Sequence, residues 1–144
     1  MKLIHGWIMC AMVGALATGC ASSYHEAGAE RVTRGNYLFT ATGVALVAEP
    51  GDESDLIKAQ MAAEAIARAN LLKNVKGAYV TDKVTVEDLM FVDHRAQQET
   101  AGWLSRAEMT LVRDPRRMDD KVVEVRADLV VTRRDLQNMR RFAE

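Results

Sequence analysis

Residues able to do chemistry are few in this sequence, and their spacing suits no common active site. His94 is the only histidine in the part of the chain that patterns as a folded domain. It has no thiol beside it and no second histidine at metal-ligand spacing, so it reads as a solvated surface residue rather than a ligand or a general base. Asp114, Asp119 and Asp120 share one loop, but a calcium loop sets its oxygen donors at alternate positions and these acids do not follow that pattern. No phosphate-cradling glycine loop, dinucleotide fingerprint or nucleophile elbow occurs. The expectation is a protein that is not an enzyme, with no catalytic residue, metal, cofactor or small-molecule substrate.

Arginines form two clusters, Arg113, Arg116 and Arg117 in one and Arg133, Arg134, Arg140 and Arg141 in the other. These read as parts of a charge-mixed solvated surface, with anionic lipid, glycan or an acidic partner as the alternative contacts. Overall, 19 Lys and Arg face 20 Asp and Glu, a net charge of −1. Bulk attraction to nucleic acid is therefore absent, and a 6% aromatic content leaves no stacking platform for single strands.

Cys20 is the residue with the clearest chemical context. Before it stand Lys2, an apolar stretch from Leu3 to Leu16, and the small residues Ala17, Thr18 and Gly19. Such a run reads as a cleavable export signal over residues 1–19, because it is too short to span a hydrocarbon core of about 30 Å. Leu16-Ala17-Thr18-Gly19-Cys20 resembles the lipobox of bacterial lipoproteins, although Ala17 stands where that pattern favours leucine. The resemblance implies that Cys20 becomes the first mature residue and carries the acyl anchor. Ala17 and Gly19 would also suit ordinary signal peptidase, which would leave Cys20 an unmodified thiol. With Ala21 following the cysteine, lipoprotein sorting implies the periplasmic face of the outer membrane. Removal of the leader also discards Cys10, so the mature chain has one cysteine and no intramolecular disulfide.

Residues 20–36 are small and polar without apolar periodicity and read as a tether of at most about 55 Å. The remainder, 37–144, reads as a single α+β domain. Tyr37 to Ala48 is apolar on both sides, a strand covered on both faces. After the turn Glu49-Pro50-Gly51-Asp52, the stretch Asp55–Lys76 lacks Pro and Gly and holds six alanines. It predicts a long helix capped by Asp52 or Ser54, ended by a left-handed Gly77, and buried along Ile57, Met61, Ala65, Ala69 and Leu72 with Ala62 and Ile66. Tyr79–Glu87 alternates like a half-buried strand. Asp93–Ala101 suits a short helix stopped by Gly102. Arg106–Val112 and Lys121–Val131 alternate again and suit a hairpin with a long loop, and Thr132 with Asp135 fits a capping box opening a last helix. The expected architecture is a sheet of about four strands carrying one long alanine-rich helix, in the order strand, helix, strand, short helix, strand, strand, helix.

Phe39-Thr40-Ala41-Thr42-Gly43, then Ala48-Glu49-Pro50-Gly51-Asp52, the helix closing through Leu71-Leu72 and Val75-Lys76-Gly77, and Gly102 ahead of Val122–Val131 resemble the small outer-membrane lipoproteins that include the flagellar lipoprotein FlgP. The amino-terminal domain of the flagellar ring protein FlgT is similar over the helix-to-glycine-to-strand stretch. The resemblance implies a structural lipoprotein that self-associates into a disk or ring of the flagellar basal body and supports motility, with basal-body proteins as partners. Contacts between copies are expected at sheet edges or along Leu136, Met139 and Phe142, unless that stripe covers its own sheet. A different class of function is a regulatory module that binds and activates a periplasmic enzyme such as a peptidoglycan synthase.

Overall fold

The computed structural model describes residues 29–33, 36–49, 51–116 and 121–144. The leader, Cys20, Arg117, Asp119 and Asp120 lie outside them. The described chain is α+β: a four-stranded antiparallel sheet in the order β1-β2-β4-β3 with helices on one side. Strand β1 is Ala29–Thr33, β2 Asn36–Leu46, β3 Glu108–Arg113 and β4 Val122–Val131. Helix α1 is Glu53–Lys76, α2 Val86–Val92, α3 His94–Leu104 and α4 Arg133–Arg140.

Alternation in β2 and β4 builds the core face. Phe39, Ala41 and Val47 point inward beside Val123, Val125, Ala127, Leu129 and Val131, all buried. The pairing Tyr37↔Val131 through Leu46↔Val122 runs without interruption, so one face stays in register over ten residue pairs. α1 lies across this face. At about 1.5 Å per residue its 24 residues span about 36 Å. Gly43 lies where the helix crosses β2: a Cβ there would run into the backbone of Ala63 and Ala67. The alanines at 59, 63 and 67, all buried, give the helix a smooth side that lets strand and helix backbones come this close.

Helix caps are set locally. The Asp52 side chain accepts from the Ser54 N–H at 2.8 Å, and Asp93 opens α3 in the same way through the Arg95 N–H. Thr132 and Asp135 form the expected capping box of α4. α4 is then tied down by Arg106 Nη2 donating to Asp135 Oδ2 at 3.1 Å and by Arg140 Nε donating to the Val80 carbonyl at 2.9 Å. Burial alone would push the Asp135 carboxyl up, but the Thr132 N–H and hydroxyl together with Arg106 hold it below the usual carboxylate range.

Several expectations are corrected. Tyr79–Glu87 is not a strand. It makes a single bridge, Tyr79↔Thr85, closes a tight turn through Val80 N–H to the Val84 carbonyl, and passes into α2. Its valines are still inward, Val80 and Val86 being buried, so the alternation reports burial while Thr85 and Asp88, a second capping box, start a helix. The fourth strand is instead β1, within the stretch expected as tether, paired through Ala29↔Phe39 to Thr33↔Asn36. Gly102 does not stop α3, which continues to Leu104. Gly77 does follow α1, but with φ −73° and ψ −6° it is right-handed. β2 is covered on one face only, its outward Val44 and Leu46 being exposed.

Candidate interaction surface

The structure places the expected contact stripe inside its own domain. Met139 is fully buried, and Leu136 and Phe142 pack partly buried against the core, with the Arg95 guanidinium 5.4 Å from the centre of the Phe142 ring. This stripe seals α4 onto the domain and is not a free face. His94 is exposed and lies 3.2 Å from Gln97 Oε1 through Nδ1 and 3.1 Å from Gln98 Nε2 through Nε2. Among the described residues no three His, Cys, Asp or Glu side chains come together as metal ligands would. Asp114 accepts from the Arg116 N–H and guanidinium, a turn acid in the ordinary sense. Of the second arginine cluster, Arg133, Arg134, Arg140 and Arg141 are exposed, with Arg140 spent on the Val80 carbonyl.

Two other kinds of surface could hold a partner, and the fold treats them differently. The first is the sheet edge. Beyond Phe39, β2 has no partner strand on the β1 side among the described residues, and an open edge invites pairing with another chain. α1 closes part of it: Asn70 Nδ2 donates to the Thr42 carbonyl at 2.8 Å and Asn74 Nδ2 to the Thr40 carbonyl at 3.0 Å. The opposite edge, β3, is short and carries a register shift between Leu111 and Arg113, a distortion that blunts edge-to-edge pairing.

The second is the outer side of α1, where nothing comparable is done. Ile57 is 53% exposed, Met61 66% and Ile66 42%. Ala62, Ala65 and Ala69 lie exposed among them, interspersed with the exposed Lys58, Arg68 and Lys73, so the helix carries apolar residues on its outer as well as its inner side. Of the stripe expected to be buried, Ile57, Met61, Ala65 and Ala69 are exposed and Leu72 is half-buried; the buried positions are Leu56, Ala59, Ala63, Ala67, Leu71 and Val75. Toward its carboxy-terminal end the stripe borders an open groove of 410 Å³ between α1 and α3, lined by Arg68, Ala69, Leu71, Leu72, Ala101 and Leu104. Apolar exposure also occurs at the end of α2, where Phe91 is 90% and Val92 73% exposed.

No described helix is long and apolar enough to cross a membrane. Compared with known proteins, the chain matches no protein-family model, and none of the curated proteins is significantly similar to it.

Proposed function

We propose that this chain is a non-enzymatic structural lipoprotein, anchored through Cys20 to the periplasmic face of the outer membrane, that self-associates as part of an envelope assembly, the disk or ring of the flagellar basal body. One observation carries the reading: the longest element of a small domain leaves Ile57 and Met61, one turn apart, in water along one side, with Ile66 exposed on another. Isolated exposed apolar side chains are ordinary, but a run of them along a helix costs solubility and is kept where a partner covers it. The leader and the lipobox resemblance supply the anchor, and the flagellar assignment rests on the sequence resemblance alone.

The test combines an anchor variant with a motility measurement. Cys20→Ser is expected to abolish incorporation of a fatty-acid analogue and to leave unprocessed precursor; labelling that persists in this variant removes the anchor. A deletion strain is expected to lose swimming through soft agar, restored by the wild-type chain and not by Cys20→Ser. Full swimming without the protein discards the flagellar assignment.

A further inference from the structure

The reading above requires an interface, and the details of α1 allow it to be placed. Along its exposed stripe the large side chains Ile57 and Met61 precede Ala65, while the groove lined by Ala69, Leu72, Ala101 and Leu104 follows it. Met61 and Ala69 are each four residues from Ala65, about 6 Å along the axis on either side. Two copies of the helix laid antiparallel with Ala65 at their crossing therefore bring Met61 of each against the groove of the other, with Ile57 beside Leu72. The small Ala65 lets the axes approach at the centre, as a two-fold contact requires.

Charge follows the same symmetry. In the first half of α1, Glu53, Asp55 and Glu64 outnumber Lys58; the second half has only cations, Arg68, Lys73 and Lys76. Antiparallel pairing sets the net-acidic half of one helix along the basic half of the other at the margins of the contact, where Glu53, Asp55 and Glu64 lie, while Lys58 and Arg68 fall within the stripe itself; parallel pairing would oppose like charges at those margins. One competing surface, the sheet edge, is obstructed in part on β2 by Asn70 and Asn74 and on β3 by its register shift.

We propose that a second copy of this chain docks antiparallel on the solvent side of α1, with Ala65 on the two-fold axis and Met61 of each copy seated in the α1–α3 groove of the other. This rests on the self-assembly reading and names one of its interfaces: the two-fold contact closes a dimer, and a ring of such dimers uses a second contact besides.

The experiment uses the full chain in mild detergent, followed by sedimentation velocity over a concentration series, with a photoreactive benzophenone amino acid placed at Met61 for cross-linking in cells. The wild type is expected to dimerise or assemble further, and the cross-linked dimer to join position 61 to peptides containing residues 68–72 or 101–105. Met61→Asp, which would carry a charge into the groove, and Ala65→Trp, which would hold the axes apart, are each expected to weaken association at least tenfold. Both positions are exposed, so unchanged far-ultraviolet circular dichroism is expected in each variant. Association that persists in both variants, or a cross-link to β3 or α2 of the second copy, overturns this interface and leaves the assembly reading standing. A wild-type chain that stays monomeric at every concentration overturns both.

Discussion

The two sides of α1 both carry apolar residues, yet one meets β2 closely enough that a Cβ at Gly43 would strike helix backbone and the other faces water. The buried side carries Ala59, Ala63 and Ala67 between Leu56, Leu71 and Val75; the exposed side carries the larger Ile57, Met61 and Ile66. Transfer energy alone would have turned the helix the other way. Leaving Ile57 and Met61 half in solvent forgoes roughly 1 kcal/mol each at about 25 cal/mol per Å² of apolar surface. Fit decides instead. β2 presents Gly43 at the crossing, and only a side of small residues lets the backbones meet there without a void. Size, then, selects the inner side, and the larger apolar residues remain for contacts outside the chain.

The comparison is broken most severely from the inner side. Gly43→Val is expected to cost about 3 kcal/mol or more, the upper part of the range for overpacking, because the added atoms meet helix backbone rather than a side chain that can rotate away. Chemical denaturation checks this, and a loss below 1 kcal/mol would mean the crossing is looser than drawn. Adjacent leucines come next. Leu71→Ala, at a fully buried position, is expected to cost about 2–5 kcal/mol. Leu72→Ala, on the groove, should cost less than half as much in the monomer while weakening self-association. Equal losses at the two positions would erase the distinction between the sides.

Asn70 and Asn74 lie where α1 overhangs β2 and give a finer measure. Removing a side-chain amide that satisfies a strand carbonyl costs about 1 kcal/mol, and more where water does not replace it. Asn74→Ala should therefore destabilise more than Asn70→Ala, since only the Asn74 bond is partly buried. Both changes gain the same helix propensity, about 0.5 kcal/mol, so their difference isolates burial. The reverse order in thermal or denaturant unfolding would show that Asn70 holds the edge.

Much of the fold was legible because its signals are local. β4 alternates over its whole length, Asp93 caps α3 as expected, Asp52 of the two candidates Asp52 and Ser54 caps α1, and Thr132 with Asp135 opens α4. The segment Tyr79–Glu87 was misread because alternating valines bury equally well in a tight turn, while the stronger sign, Thr85 followed three residues later by Asp88 and then by Leu89, Met90 and Phe91, passed unused. The interaction surface was illegible for a different reason. Periodicity reveals an apolar stripe but not which of two stripes meets the sheet, and Leu136, Met139 and Phe142 look as sticky in sequence as Ile57, Met61 and Ile66. A glycine within a strand signals close backbone approach. Gly43, matched to alanines spaced four apart at 59, 63 and 67, was the available clue to the true inner side.

The smallest effect is expected on the exposed side. In dilute solution Met61→Ser should change the stability of the chain by less than about 0.5 kcal/mol, the usual range for surface positions, because Met61 has little packing to lose in the monomer. The result should depend on concentration. Association stabilises the folded state by mass action, so the wild type should melt higher as it is concentrated and Met61→Ser should not follow it. Ile57→Ser should behave alike, whereas Ala63→Ser, on the inner side, should lose stability equally at every concentration because its cost lies within one chain. Parallel concentration dependence in Met61→Ser and wild type would mean that the exposed side takes no part in association, and the contrast between the two sides would then be one of packing alone.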